Sequence, residues 1–127
     1  MTAQIVVLDT NILLTPEICK INMDAELKPL LGTYRLCITE GTKRELEEIA
    51  STNSRTGQAA RIALKLIGHK NIEIIHSEKN HADDQIVEFA EKNDCIVATQ
   101  DKLLKERIKI IGRKIIIVRS KTHFEIM

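Results

Sequence analysis

The strongest restriction on the fold comes from five short aliphatic runs that alternate with segments of helical spacing. The runs are residues 5–8, 34–39, 72–75, 95–99 and 114–118. They are rich in β-branched residues and apolar on both faces, which is typical of parallel strands covered by helices on both sides. We therefore expect an α/β fold, a three-layer αβα sandwich with a central parallel sheet of about five strands.

Six segments between these runs carry helical signals. They are residues 11–14, 23–31, 39–50, 58–68, 82–93 and 103–111. Pro16 is expected to interrupt the first segment. Thr39 or Thr42 can cap the third, and Glu45 stands at capping-box spacing from Thr42. No repeat or second domain is apparent, so residues 1–127 are interpreted as one domain in which residues 119–127 form a basic tail.

Composition narrows the possible classes of function. Hydrophobic residues make up 43% of the chain and aromatic residues only 2%, so recognition of bases by ring stacking is disfavoured. Cys19, Cys37 and Cys95 are scattered and form no C-x-x-C pair, which indicates free thiols rather than a zinc site. No run approaches the roughly 18 apolar residues of a membrane span, and no basic leader precedes the first apolar run. We expect a cytoplasmic protein with no membrane partner.

Charge is unevenly distributed along the chain. Residues 102–127 contain eight Lys and Arg against two acidic residues, whereas residues 1–101 contain 11 against 16. The C-terminal quarter would thus present a cationic surface to a polyanion. The alternative interpretation is a solvated helix face and an edge strand protected by lysines.

Four acidic residues stand where a parallel sheet usually places its binding site, beyond the carboxyl ends of the strands. Asp9 ends the first strand, and Asp101 follows the fourth by two residues. Glu45 lies in the helix after the second strand, and Asp83 lies in the first turn of the helix before the fourth. The four carboxylates are therefore expected to converge at one edge of the sheet.

Each of these acids also has a purely structural interpretation. Asp9 and Asp101 can be helix N-caps, and Glu45 can be a capping-box glutamate. On a helical wheel, Asp83 falls in the sector of the apolar residues, whereas Asp84 falls near the opposite side. Asp84 is therefore interpreted as an ordinary acid of the first helical turn. A carboxylate among apolar neighbours is unfavourable unless something pairs with it, which favours Asp83 as a ligand.

Carboxylate oxygens without nearby His or Cys select Mg²⁺ or Mn²⁺ rather than zinc. Such ions activate water, stabilise developing charge and position a scissile phosphate. Carboxylates this close together repel one another without metal, which raises some of their pKa values. Metal is therefore expected both to activate and to stabilise the protein.

The motifs VVLDTN, ELEEIA and ADDQIVEFAEKNDCIVATQD together resemble those of the PIN-domain ribonucleases, over residues 5 to about 119. The resemblance implies a metal-dependent endoribonuclease whose acidic quartet, carried over residue by residue, is Asp9, Glu45, Asp83 and Asp101. It also implies that polar side chains support the acids, namely Thr10, Asn11 and Thr99. Asp84 is a further candidate metal ligand.

The resemblance also suggests a role and partners. The acidic pair at 83 and 84 is similar to the branch of ribosomal-RNA processing factors, with VapC-type toxins second. The family implies a homodimer, RNA as substrate, and either an antitoxin or a ribosome-assembly partner. The basic C-terminal residues would grip RNA phosphates: Lys102, Lys105, Arg107, Arg113, Lys114, Arg119 and Lys121. Neutralising Arg113 and Lys114 is predicted to weaken RNA binding and flatten its salt dependence.

Other enzyme classes fit less well. A phosphatase of the haloacid dehalogenase type needs a second acid at position 11, where this chain has Asn11. A dinucleotide-binding domain needs glycines after the first strand, and no phosphate-binding Walker loop is present. The remaining alternative is a PIN-like scaffold for RNA or protein with an inactive site. Stabilisation by Mn²⁺ would distinguish a live site from such a scaffold.

Overall fold

The fold is described from a computed structural model, which covers residues 3–127. The strands are β1 (Gln4–Leu8), β2 (Tyr34–Thr39), β3 (Glu73–Ile75), β4 (Ile96–Ala98), β5 (Lys114–Arg119) and β6 (His123–Ile126). The helices are α1 (Thr10–Ile18), α2 (Met23–Leu31), α3 (Glu40–Ala50), α4 (Arg55–His69), α5 (Ala82–Lys92) and α6 (Lys102–Ile110). Strands and helices alternate along most of the chain, as the sequence predicts.

All six strands form one sheet in the order β3-β2-β1-β4-β5-β6. The first five pair in parallel, and Val7 at the centre lies opposite Cys37 on one side and Val97 on the other. Along the chain, β2 and then β3 are added on one side of β1, and β4, β5 and β6 are then added on its other side. The switch point between β1 and β4 is where open α/β sheets form their binding crevice.

Two apolar cores separate the sheet from its two helical layers. Val6 and Leu8 of β1 point to one core, which includes side chains of α1, α2, α3 and α4. Val7 points to the other core, where it meets side chains of α5 and α6. This alternation within β1 follows from the two-residue period of a strand. The predicted three-layer αβα sandwich is confirmed.

The predicted basic tail at residues 119–127 is wrong for its last part. His123–Ile126 form β6, which pairs antiparallel with β5 and gives the sheet a sixth strand. Phe124 is buried in the first core, and its backbone N–H donates to Glu26 Oε1 at 3.0 Å. A four-residue strand with one buried side chain leaves too short a pattern to identify from sequence.

The predicted break at Pro16 is also wrong, since α1 continues through it to Ile18. A proline has no N–H, so the carbonyl of Ile12 four residues earlier loses its helical donor. The Thr15 hydroxyl donates to that carbonyl at 2.6 Å. This local replacement satisfies the carbonyl and lets the helix continue.

Two expectations drawn from composition can be compared with the structure. Cys37 and Cys95 are buried free thiols, and Cys19 is a free thiol at partial exposure. Within residues 3–127, no helix has both the length and the apolar character needed to cross a bilayer.

Candidate active site

Asp9 is held rigidly where β1 ends and α1 begins. It caps α1, with its Oδ1 accepting the Thr10 N–H at 2.8 Å. Its Oδ2 accepts the Thr99 hydroxyl at 2.7 Å. The side chain is only 6% exposed, and this burial raises the pKa of Asp9 while the two hydrogen bonds oppose the shift. One buried carboxylate is thus fixed in orientation at the switch point of the sheet.

Thr99 connects Asp9 to the second acid of the site. Its hydroxyl donates to Asp9 and also accepts the backbone N–H of Asp101 at 3.0 Å. Asp101 in turn caps α6, with Oδ1 accepting the Leu104 N–H at 2.8 Å. The capping interpretation is therefore correct for both aspartates, and it is compatible with a site because capping fixes their side chains at one edge.

A close contact between α3 and α5 brings the other two acids together. A Cβ placed on Gly41 would lie 2.8 Å from the Ala82 Cα, so only glycine permits this approach. The Gly41 N–H donates to Gln85 Oε1 at 2.7 Å, and Gln85 Nε2 donates to the Lys79 carbonyl at 2.8 Å. Sequence analysis missed these residues, because a glycine early in a helix and a glutamine in its neighbour give no signal of contact.

Glu45 is not part of a capping box, because Thr39 and not Thr42 caps α3. Glu45 instead lies with Asp83 along an open cleft of about 660 Å³. The two acids come from the helices joined at the Gly41 contact. The cleft is also lined by Asp101, beside which α6 begins.

Three of the four carboxylates have pKa values that are raised in part by the charges of others in the cluster. Partial burial raises the pKa of Glu45, and the charges of Asp9 and Asp83 raise it further. Burial likewise raises the pKa of Asp83, and the charges of Asp9 and Asp101 add to the effect. Like charges gathered in a partly desolvated cleft are unfavourable without a counter-ion.

The residues present suit a hard cation. Carboxylates line the cleft, and the buried Thr10 hydroxyl, which meets strict hydrogen-bond geometry with none of the described residues, lies close enough to Glu45 to oppose the rise in the pKa of that acid. Among residues 3–127, however, no three His, Cys, Asp or Glu side chains already converge at ligating distance. The arrangement is an open set of oxygen donors rather than a closed cage, as suits Mg²⁺, which retains several of its waters.

A family profile described as a PIN-like domain matches residues 6–121. The chain belongs to this family. The resemblance to PIN-domain ribonucleases inferred from the sequence motifs is thereby confirmed.

Two curated relatives of this PIN domain are named as ribonucleases. Ribonuclease VapC4 of Methanocaldococcus jannaschii is 36% identical over 126 residues, which cover 95% of each chain. Ribonuclease VapC9 of Archaeoglobus fulgidus is 38% identical over 107 residues, or 84% of this chain and 76% of the relative.

Solved structures show the same architecture. The PIN domain endonuclease Utp24 superimposes with a TM-score of 0.79 at 30% identity, over 96% of this chain and 90% of that one. A domain of a functionally unknown protein from Methanocaldococcus jannaschii gives a TM-score of 0.65 at 19% identity, over 93% of each chain. The second likeness concerns the fold alone.

The structure also places the polar residues that the PIN resemblance implies. Thr10 and Thr99 are buried beside Asp9, whereas Asn11 is exposed. Asp84 lines the cleft, but its Oδ1 lies 2.9 Å from a guanidinium nitrogen of Arg107. Thr10 and Thr99 are thus brought to the acids, and Asp84 already has a partner. Within residues 3–127, Asn11 makes no side-chain hydrogen bond to the acids.

The predicted RNA-binding residues do not form one surface on this PIN domain. Arg107 lines the cleft, and Lys102 begins α6 next to Asp101. Arg113 and Lys114 lie at the start of β5, at the opposite edge of the sheet from the acids. The other candidates lie on α6 or at the far end of β5: Lys105, Arg119 and Lys121.

Other side chains also line the cleft of the PIN domain. Arg44 on α3 and Asn80 in the loop before α5 are two of them. His81, which precedes α5, lines the cleft as well, as its position near Asp83 in the sequence suggests. Arg44 has no ion-pair partner among the residues that the structure describes. Neither Arg44 nor Asn80 lies in a strand-end motif, so sequence spacing gave no reason to select them.

Proposed function

We propose that this PIN-domain chain is an endoribonuclease that hydrolyses RNA phosphodiester bonds with the help of Mg²⁺ or Mn²⁺. The observation that carries the proposal is the cluster of four carboxylates from four separate segments: Glu45, Asp83 and Asp101 line one cleft, and the pKa values of Asp9, Glu45 and Asp83 are raised by burial and by the charges of other members of the cluster. The curated relatives named as ribonucleases support it.

Asp9, Glu45, Asp83 and Asp101 would hold the metal. When bound, the ion would lower the pKa of a water and stabilise the charge that develops on the phosphate. Thr99 keeps the Asp9 carboxylate oriented through its hydroxyl. The Gln85 and Gly41 contact keeps α3 and α5 together and so holds Glu45 opposite Asp83.

Two biological roles have support. The acidic pair at 83 and 84, which resembles the branch of ribosomal-RNA processing factors, supports a role in processing ribosomal RNA with a ribosome-assembly partner, and the likeness to the PIN domain endonuclease Utp24 supports internal cleavage. The relatives named VapC4 and VapC9 support a toxin ribonuclease with an antitoxin partner. Growth arrest on expression, with cleavage of an RNA other than a ribosomal precursor, would favour the second role. A homodimer and a cytoplasmic location remain predictions.

The test is cleavage of a structured RNA with Mn²⁺, with Mg²⁺ and with a chelator. Wild type is compared with Asp9→Asn, which keeps the shape but removes the charge at the centre of the cluster. The matched control is Asp94→Asn, since that aspartate is 95% exposed at the opposite edge of the sheet. We expect metal-dependent cleavage that is abolished in Asp9→Asn and retained in Asp94→Asn. Full cleavage by a folded Asp9→Asn protein would refute the catalytic assignment.

A further inference from the structure

A guanidinium group lies within the acidic cleft and is held by an acid that the metal site does not require. Arg107 of α6 is 2.9 Å from Asp84 of α5, and the two side chains are 43% and 42% exposed. Both residues line the cleft together with Glu45, Asp83 and Asp101. The positive charge of Arg107 also opposes the rise in the pKa of Asp83 that burial and the neighbouring acids cause.

An RNA strand can bind in such a cleft only if positive charge offsets the repulsion between its phosphates and the acids. Its phosphates are repelled by the carboxylates that line the cleft. Among the residues lining the cleft, the arginines are Arg44 on α3 and Arg107 on α6, on the two helices that pack against α5. Arg113 and Lys114 are too far away to compensate, because they lie at the other edge of the sheet.

The contact between Asp84 and Arg107 has the character of an exchangeable pair. Ion pairs at this degree of exposure are weak, because solvent screens them and both side chains lose freedom in forming them. A guanidinium binds a phosphate in the same two-pronged geometry that it uses for a carboxylate. A phosphate entering the cleft can therefore replace Asp84 as the partner of Arg107.

We propose that Asp84 and Arg107 form a phosphate latch. In the free protein, Asp84 holds Arg107 at the cleft. When RNA binds, the Arg107 guanidinium leaves Asp84 and pairs with a phosphodiester of the strand beside the catalytic acids. Asp84 is then a positioning residue and not a metal ligand. The inference rests on the proposed ribonuclease function, since it concerns how the same cleft holds its substrate.

The binding test uses Asp9→Asn as parent, with chelator, so that neither metal nor cleavage contributes. Affinity for a fluorescent single-stranded RNA is measured by anisotropy over a range of salt concentrations. We expect Arg107→Ala to weaken binding and to reduce the slope of log K against log salt by about 0.7, the value for one lost phosphate contact. Arg107→Lys should keep the slope, because it keeps the charge.

The matched control is Lys109→Ala, which removes one exposed positive charge from the same helix but none from the cleft. It should leave the slope unchanged. If Arg107→Ala and Lys109→Ala give the same slope, the latch is refuted.

The role of Asp84 is tested by two further measurements. In calorimetric titration with Mn²⁺, Asp84→Asn should bind the ion as the wild type does, whereas Asp83→Asn should lose binding. In RNA binding, adding Asp84→Asn to Arg107→Ala should not weaken binding further, because Asp84 supports binding only through Arg107. Loss of Mn²⁺ binding in Asp84→Asn would show that it is a ligand and would refute its assignment here.

Failure of the latch and failure of the proposed function give different results. If the wild type cuts RNA with Mn²⁺ but Arg107→Ala keeps the full salt slope, the ribonuclease assignment stands and the latch is wrong. If no metal supports cleavage but the salt slope falls in Arg107→Ala and not in Lys109→Ala, the latch is supported and the protein binds RNA without cutting it. If the parent does not bind RNA at low salt, the latch is refuted, and if the wild type also fails to cut RNA with either metal, the proposed function is refuted as well.

Discussion

The parallel strands of the central sheet begin at one edge, the amino edge, and end at the other, the carboxyl edge. The two edges differ in how their charges are paired. At the amino edge, Arg113 donates to the Ala90 carbonyl at 2.8 Å and lies 3.5 Å from Asp94. At the same edge, Arg35 of β2 pairs with Glu73 of β3 at 3.0 Å. At the carboxyl edge, carboxylates face carboxylates. One edge thus neutralises its charges locally, whereas the cleft at the other edge contains more carboxylates than its two arginines can neutralise.

This difference indicates which edge of the sheet lowers the stability of the fold. Opposite charges at an exposed edge contribute little to folding. Like charges in a partly desolvated cleft oppose folding, and such arrangements persist mainly where a ligand or reaction uses them. The carboxyl edge is therefore the part of the molecule whose stability should depend most on what it binds.

The largest expected effect is on stability in the presence of metal. A bound ion that is absent from the unfolded chain stabilises the fold by about 2.7 kcal/mol at a free concentration 100 times its Kd. We expect Mn²⁺ to raise the Tm of the wild type by several degrees in a thermal scan, and not to raise that of an Asp9→Asn and Asp83→Asn double variant. An equal rise in both would show that Mn²⁺ acts elsewhere, and the two edges would no longer differ.

A smaller effect is expected from Thr99→Val, which keeps the shape of the side chain but removes its hydroxyl. Asp9 loses the donor to Oδ2, and the Asp101 N–H loses its acceptor. Groups that orient a metal ligand typically contribute 10–100-fold to activity or metal affinity, and we expect a loss in this range in the rate of RNA cleavage. An unchanged rate with an unchanged Tm would show that Asp9 does not need to be oriented.

Much of the carboxyl edge could be predicted because its signals are local. Asp9 directly follows β1 and Asp101 lies three residues after the end of β4, and parallel strands bring their ends to one edge whatever the helices do. The contact of Gly41 with Ala82 could not be predicted, because it depends on how α3 packs against α5. These two helices are separated along the chain by α4 and β3. The pairing of Asp84 with Arg107 was missed for the same reason. Arg113 was assigned to RNA binding from charge alone, which does not specify an edge.

The dependence of stability on pH separates the two edges further. The pKa values of Asp9 and Asp83 are raised above 3.8, and that of Glu45 above 4.5. A carboxyl group with a raised folded-state pKa binds its proton more tightly when folded. Its contribution to stability is therefore fully present below its unfolded pKa and is lost as the pH rises through the folded value.

We therefore expect a variant with Asp83→Asn and Glu45→Gln to gain stability relative to the metal-free wild type as the pH rises above 4.5. Urea denaturation at several pH values with chelator would measure the difference in unfolding free energy. Asp94→Asn, at the amino edge, should show no such gain. A difference that shrinks as the pH rises would mean that the acids are stabilised rather than repelled in the folded state.

The smallest effect is expected from the amino edge itself. Lys114 and Arg119 are the first and last of the six residues of β5, and they lie roughly 17 Å apart at the rise of a strand. A short RNA that fills only the cleft should not reach Lys114, so Lys114→Gln should leave its cleavage rate and salt dependence unchanged. Arg113→Gln should also leave them unchanged, although losing its bond to Ala90 should reduce stability by about 0.5–1.5 kcal/mol.

A longer RNA that follows the surface around to β5 would show the weaker binding predicted from the C-terminal charges. Comparing short and long substrates therefore decides whether the basic edge takes part in recognition. If Lys114→Gln flattened the salt dependence for the short RNA as much as Arg107→Ala does, the substrate would have to contact both edges at once. The division of the molecule into a catalytic edge and a structural edge would then be wrong.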